Sequence, residues 1–424
     1  MSNERSGFSS RLGFVLATAG SAVGLGNIWR FPYLAAKYGG GTFLLTYLIL
    51  TLTFGFSLMI TEVALGRKAG TSAIRAFGHF SKKHTFIGYL TTIIPFIIFP
   101  YYCVIGGWVT KYALISLQGG IHNAASDTFF TGFISKSAEP MICVLVFLIA
   151  TTVVVAGGVK GGVERVSTIM MPVLIVLLIG VSLFCITRPG AMAGVAYYLK
   201  PSLKGFGPTT ILAALGQLFY SMSLAMGIMI TFGSYMPKKA DLEKSVTQVE
   251  IFDTGVAFLA GLMIVPAVFV FSNGDSSMLA KGPSLMFVML PKVFDSMAFS
   301  SVIAAVFFIL VLLAALTSSI SLLETLVAVL MDKFHMKRGT ACITMFIIAL
   351  LLAVPSSLGF GAWSNITILG FDFLDFFDFI SNSVLMPIAA FLTCLFVGYI
   401  IKPKVIVDEV ESSGEFKRKS LFLI

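Results

Sequence analysis

The residues best suited to chemistry in this chain sit where apolar segments interrupt themselves. In Ser21–Pro32, "SAVGLGNIWRFP", Gly24 and Gly26 loosen a helix, Asn27 adds an amide and Arg30 a full charge. In Tyr220–Gly227, "YSMSLAMG", a polar stretch ends on glycine. Helix unwound inside a bilayer leaves carbonyls and amides without partners, at several kcal/mol each unless something replaces the lost bonds. A dehydrated cation satisfies freed carbonyls. A carboxylate satisfies freed N–H groups at the start of a half-helix, where the dipole is positive. A zwitterionic amino acid together with sodium meets both needs.

Other oxygen donors stand in comparable places. "AALTSSIS" (Ala314–Ser321) carries Thr317 and Ser318 deep in an apolar run, either as ligands or bonded back to their own backbone. "PYYCVIGGW" (Pro100–Trp108) offers the phenols of Tyr101 and Tyr102, one of which could instead belong to an interfacial belt. Glu62, Asp253 and Glu324 lie within apolar runs, where a charge costs about 2.5–3.5 kcal/mol on insertion scales. Asp253, in "VEIFDTGVAF", is the functional candidate of the three; Glu62 and Glu324 read as helix–helix bonding. Asp332 lies near a span end, where it could pair with Arg5 as a latch.

Positioning these groups requires a membrane protein. The 424 residues are 57% hydrophobic and 12% charged, with 40 Phe, too few charges to cover a soluble surface. Apolar runs predict ten spans, at about 11–37, 41–66, 86–118, 140–157, 165–187, 207–236, 242–272, 298–334, 339–356 and 373–401. "SLFLI" (420–424), after the basic "KRK", reads as the start of an eleventh. Alternate loops hold roughly two-thirds of the Lys and Arg, which puts them and the N-terminus in the cytoplasm. The net charge of +9 therefore reads as basic loops rather than a nucleic-acid surface. The five Cys are scattered through apolar runs and the four His have no ligand spacing, so neither a disulfide framework nor a transition-metal site is expected. No Walker motif, full dinucleotide fingerprint or Ser-His-Asp set is present, which argues against an ATP-driven pump or an enzyme.

The interrupted spans 1 and 6 are five helices apart, and five is odd. Spans 1–5 (11–187) and 6–10 (207–401) therefore form two inverted halves of a single transporter domain covering 1–424, with 402–424 a cytoplasmic loop and the beginning of span 11. Paired breaks in inverted halves point to a central transport site, and the same symmetry groups spans 1, 3, 6 and 8 around it.

"RLGFVLATAGSAVGLGNIWRFPYLAAKYGGGTFLLTY" (Arg11–Tyr47), "GQLFYSMSLAMG" (Gly216–Gly227) and "ALTSSIS" (Ala315–Ser321) closely resemble the first, sixth and eighth helices of the neurotransmitter:sodium symporter family, in particular its eleven-helix bacterial amino-acid importers. The resemblance runs over essentially the whole chain. It implies an all-α integral membrane protein of the bacterial inner membrane, importing an amino acid with sodium by alternating access. A substrate-binding sensor or channel on the same fold is the alternative.

Carried over residue by residue, the resemblance implies one sodium among Gly20, Val23, Ala314, Thr317 and Ser318. A second would sit by Ala22, Asn27, Ser221 and an oxygen of span 7, with Asp253 as the candidate. Counting back from Pro266, Asp253 falls one residue from the asparagine that relatives place there. The substrate carboxylate would meet the amides near Leu25 and Gly26 and the Tyr102 hydroxyl, and its amino group the region of Ser21, Ala22, Tyr220, Ser221 and Ser223. Ile98, Tyr220, Met226, Ser318 and Leu322 would line a side-chain pocket suited to a hydrophobic or aromatic substrate. Monoamine carriers of the family have an aspartate where Gly24 stands. The outer gate would be Arg30 with Gln217 and an acid of "FDFLDFFDF" (Phe371–Phe379), Asp375 fitting best among Asp372, Asp375 and Asp378; the inner gate would be Arg5 with Asp332. Gly162 and Pro172 match a motif for unwinding of span 5, and Asp253 is expected to make transport independent of chloride.

Overall fold

The computed structural model describes residues 7–202, 206–272 and 285–423. Besides shorter connecting helices, ten helices, whole or broken, stand in chain order among the described residues. They are α1, broken into α1a (Arg11–Ala22) and α1b (Gly26–Lys37); α2 (Gly41–Ala69); α3 (Lys82–Leu117); α4 (Ala138–Ala156); α5 (Val159–Ile186); α6, broken into α6a (Pro208–Ser221) and α6b (Ile228–Tyr235); α7 (Leu242–Phe271); α8 (Ser300–Phe334); α9 (Arg338–Leu358); and α10 (Phe373–Ile401). Eight are long and apolar enough to cross a membrane, and the two parts of α1, bent by 50°, make a ninth. The halves of α6 have 14 and 8 residues, too short singly for the ~20 residues a span needs. The expected spans are all present, with ends displaced by a few residues except at α5. There the helix starts six residues earlier, in a wide π-type turn over Val159–Glu164.

Burial sorts the helices. Over its most apolar stretch α3 is 78% buried and α7 and α8 are 61% buried, whereas α5 and α10 are 33% buried. The well-buried α3 and α8 are two of the four helices that the inverted halves group around the centre. Contact between α2 and α6b is made through glycines. A Cβ on Gly66 would strike the Ile230 carbonyl, and one on Gly233 would lie 2.9 Å from the Val63 Cα. Such small residues let two backbones touch in a membrane.

Sequence periodicity did not reveal the short helix Lys404–Glu411, inside the stretch expected to be loop. Its Glu409 reaches Arg67, which is fully buried at the end of α2, with Nε–Oε1 at 2.8 Å. Arg67 also donates from Nη1 to the Ala240 carbonyl and the Ser413 hydroxyl, each at 2.9 Å. Farther on, Glu243 accepts from the Lys417 and Arg418 amides, and Arg418 pairs with Glu250 at 2.7 Å. The segment after α10 is thereby pinned to α2, to the α6b–α7 connection and to α7. Glu409→Ala leaves a buried guanidinium short of its counter-charge and is expected to cost about 3 kcal/mol. A fall in the melting temperature of the purified protein, largely reversed in Arg67→Met/Glu409→Leu, is the corresponding measurement.

Candidate substrate and ion site

The two breaks face each other. Ser21, at the end of α1a, donates from its hydroxyl to Ser223 Oγ at 3.2 Å, and the Ser223 hydroxyl donates to the Ser21 carbonyl at 3.0 Å. Ser223 (φ 53°) and Ala225 (φ 60°) hold left-handed backbone that non-glycine residues seldom adopt, and Gly227 (φ 73°) ends the turn. Buried side chains replace part of the lost helical bonding. Glu62 of α2 accepts from the Ala225 amide at 2.9 Å, the Asn27 carboxamide oxygen accepts from the Gly24 amide at 3.1 Å, and Gln217 Nε2 donates to the Gly26 carbonyl at 2.9 Å.

Oxygens converge on two places. At the first, Thr317 Oγ1 lies 3.5 Å from the Val23 carbonyl and 3.0 Å from that of Ala314, and Ser318 Oγ lies 3.4–3.5 Å from those of Val23 and Gly20. All five residues expected to form this group therefore come together between α1 and α8. Thr317 also bonds back to Leu313 at 3.1 Å, the backbone bonding weighed for it from sequence. At the second, the Asn27 side chain donates to Ser221 Oγ (2.9 Å) and to the main-chain oxygen (3.2 Å) and carboxylate (2.7 Å) of Asp253. Ser221 Oγ and Tyr47 Oη donate to the two Asp253 carboxylate oxygens at 2.8 and 3.0 Å. Asp253 is buried and reaches this cluster despite its one-residue offset. Tyr47, on α2, was not singled out from sequence. It becomes visible only once α2 is packed on α7.

Between the two groups lies a cavity of about 30 Å³. Its backbone side is formed by Ser21, Ala22, Gly24, Leu25, Gly26 and Ser223. Ile98, Met226, Ile228 and Leu322 supply apolar walls, and Tyr102, Tyr220 and Ser318 complete it. Every residue expected at the substrate lines it except Ser221, which is turned to Asp253; Ile228 was not anticipated. Among the described residues the buried Tyr102 hydroxyl makes no well-formed hydrogen bond, though Ser318 and the Leu25 backbone lie near it. A Cβ on Gly24 would strike Ser318 Oγ and lie 3.3 Å from the Tyr102 hydroxyl, so the cavity has no room for a side chain there.

Above it, Arg30, Asp375, Asp378, Trp29, Tyr33 and Tyr220 line a second cavity of about 320 Å³. The Arg30 guanidinium lies 5.1 Å from the centre of the Tyr220 ring, and among the described residues its buried Nη1 makes no hydrogen bond. Among the described residues Arg30 forms no ion pair with Asp375 or any other acid. Asp372 caps α10 by accepting from the Asp375 amide. Asp378 has its own set of donors, Tyr101 Oη at 3.2 Å and Asn382 Nδ2 at 2.5 Å, an arrangement sequence reading missed.

At the opposite end, Arg5 lies outside the described residues, and Asp332 accepts from the Ser72 amide at 2.7 Å. Tyr235 and Arg338 both donate to Glu324. The wide turn that opens α5 presents Glu164 to the start of α1a, where it accepts from the Ser9 amide (2.8 Å) and hydroxyl (2.5 Å). Gly162 within that turn sits against the Val154 carbonyl, and Pro172 lies inside the helix beyond it.

Comparisons with known proteins agree with this architecture. The model of the sodium:neurotransmitter symporter family matches residues 5–132 and 130–424. The chain is 36% identical over 412 residues to an uncharacterized sodium-dependent transporter of Bacillus subtilis, covering 96% of this chain and 90% of that one. It is 35% identical over 436 residues to a similar protein of Haemophilus influenzae, covering 99% and 93%. The crystal structure of MhsT in complex with L-phenylalanine superposes with a TM-score of 0.90 at 38% identity, over 99% of this chain and 96% of MhsT. The chain belongs to the sodium:neurotransmitter symporter family. It is a multi-pass membrane transporter, not an enzyme, with sodium as the co-transported ion.

The Glu62–Ala225 bond can be tested directly. Glu62→Gln keeps an acceptor for the buried amide and is expected to melt near the wild-type temperature. Glu62→Ala strands that amide, at about 1–3 kcal/mol, and is expected to melt clearly lower.

Proposed function

We propose that this member of the sodium:neurotransmitter symporter family imports a hydrophobic or aromatic amino acid, driven by the sodium gradient and without chloride. The observation that carries the reading is the lining of the cavity at the facing breaks: broken backbone of α1 and α6, the hydroxyl side chains of Tyr102, Tyr220 and Ser318, and the apolar Ile98, Met226, Ile228 and Leu322. Its volume of about 30 Å³ would have to widen to take such a substrate. The substrate carboxylate would be held by the amides of Leu25 and Gly26, at the positive end of α1b, and by the buried Tyr102 hydroxyl. The ammonium would be held by carbonyls around Ser21, Ala22, Tyr220 and Ser223. Gly24 brings no acid of its own where the family's monoamine carriers have an aspartate, so the substrate would have to supply the carboxylate, which favours an amino acid over a monoamine. Ile98, Met226, Ile228 and Leu322 would take the side chain, with Met226 able to adapt to different shapes. The L-phenylalanine bound to MhsT supports this substrate class.

One sodium would replace the weak contacts joining Gly20, Val23 and Ala314 to Thr317 and Ser318, an all-oxygen shell suited to a hard cation. The other would sit with Ala22, Asn27, Ser221 and Asp253 and accept the substrate carboxylate as a further ligand. The first ion would thus clamp α1 to α8, and the second would tie the substrate to its ion. Tyr102 and Tyr220 would close over the substrate, with Arg30, Gln217 and Asp375 as the outer gate and Arg5 with Asp332 as the inner one. Alternating access would then be a movement of one half of the helices against the other, in the bacterial inner membrane with a cytoplasmic N-terminus.

Uptake of a labelled amino-acid panel into proteoliposomes tests the reading. Phenylalanine, tyrosine or leucine is expected to accumulate only with an inward sodium gradient, and Thr317→Ala is expected to raise the sodium concentration for half-maximal uptake about tenfold, as loss of a ligand worth ~1.4 kcal/mol would. Binding without accumulation would instead favour a sensor. Asp253→Asn removes a fixed negative charge from the second ion group, so its uptake is expected to require chloride or to stop. Chloride-independent uptake at the wild-type rate would overturn the role given to Asp253.

A further inference from the structure

The outer faces of α3 and α10 enclose a groove that the transport site does not use. It is a cavity of about 360 Å³ with apolar walls from Ile87, Leu392, Leu395 and Phe396. Phe86 and Tyr399 stand at its mouth, 50% and 71% exposed. His84 closes one end, its ring centre 5.5 Å from that of Phe396. This contact brings the beginning of α3 and the end of α10 together on one side of the membrane.

Charge is concentrated at that end. Lys82 and Lys83 immediately precede His84, and Lys402 and Lys404 immediately follow α10. All four are exposed, and among the described residues none forms an ion pair. Asp408, one turn beyond Lys404, forms no ion pair either. Three arginines near other helix ends are matched, Arg67 with Glu409, Arg338 with Glu324 and Arg418 with Glu250; Lys160, Arg165, Lys333 and Lys337 form no ion pair among the described residues, and none of them lines the apolar groove. Four unmatched lysines above an apolar groove open to the membrane suit an amphiphile with an acyl chain and a negative head. A zwitterionic head would bring its own cation toward the same lysines.

We propose that this groove binds one anionic phospholipid, its acyl chain along Ile87, Leu395 and Phe396 and its phosphate against Lys82, Lys83, Lys402 and Lys404. Such a lipid bridges α3 and α10 at one end. The same two helices carry Tyr102 in the substrate cavity and Asp375 and Asp378 in the outer cavity. The lipid therefore joins the far ends of helices that line the transport path.

Native mass spectrometry of the purified full chain, equilibrated with equal amounts of phosphatidylglycerol and phosphatidylcholine of identical chains, tests the proposal. The wild type is expected to retain one phosphatidylglycerol with a preference of roughly tenfold. In Lys82→Gln/Lys83→Gln/Lys402→Gln/Lys404→Gln the preference is expected to fall toward parity. Leu395→Trp fills the groove and is expected to lose the bound lipid with every lysine intact; Tyr399→Ala takes away one wall of the groove's mouth and is expected to weaken retention, and it stands in if Leu395→Trp fails to fold. An unchanged melting temperature establishes folding of each variant. Equal retention of both lipids by the wild type, an undiminished preference in the four-glutamine variant, or wild-type retention by both groove variants would overturn the proposal.

Discussion

A backbone amide or carbonyl inside a bilayer must have a partner, and the architecture around the breaks follows from that constraint. Most of the chain satisfies it in the ordinary way, with long helices whose bonds close internally. Two segments do not. The backbone of α1 departs from its helix between Ala22 and Gly26, and that of α6 between Ser221 and Ile228. The surrounding helices supply the partners that these turns lack. Glu62 comes from α2, while Asn27 and Gln217 come from the broken helices themselves, and Asp253 of α7 holds the Asn27 side chain in place. This explains why polar residues that are costly in a membrane cluster at one level of the fold. Each answers a need created by the breaks.

The same constraint links groups that would otherwise be separate. The Ser21 carbonyl accepts from both Ser223 and Ser318, so a single carbonyl joins the α6 break to α8. Asn27 bonds the Gly24 amide through one atom and Asp253 through another, so the α1 break is bound to α7 by one side chain. A change in position of α1a relative to α8 must therefore disturb both oxygen groups and the cavity between them. Glu164 extends the connection to the end of α1a, where it holds the Ser9 amide and hydroxyl. Movement of the wide turn in α5 is thereby transmitted to the same half-helix.

Much of this was legible in the sequence because it is local. Apolar runs announced the spans, and the glycines of "SAVGLGNIWRFP" and the serines of "YSMSLAMG" announced the breaks. Relations between distant segments were less legible. Nothing near Tyr47 says that its hydroxyl will meet Asp253, 206 positions away. Tyr101 and Asp378 stand out singly, but only the packing of α3 on α10 joins them to each other and to Asn382. Lys404–Glu411 was hidden for another reason. Its polar, charged face resembles loop composition, and its burial depends on Arg67, more than 300 residues earlier.

Arg30 faces two candidate acids on α10. Asp375 and Asp378 lie one turn apart on α10 and both face the cavity that contains Arg30. Asp378 already accepts from Tyr101 and Asn382, so its charge is partly compensated by donors fixed in the protein. Asp375 has no side-chain hydrogen bond among the described residues and has Asp372 and Asp378 as acidic neighbours. A guanidinium approaching α10 gains most from the carboxylate whose charge is least compensated, and it forfeits fewer existing bonds there. That supports Asp375 as the partner proposed for Arg30, while Asp378, through Tyr101 and Asn382, joins α3 to α10.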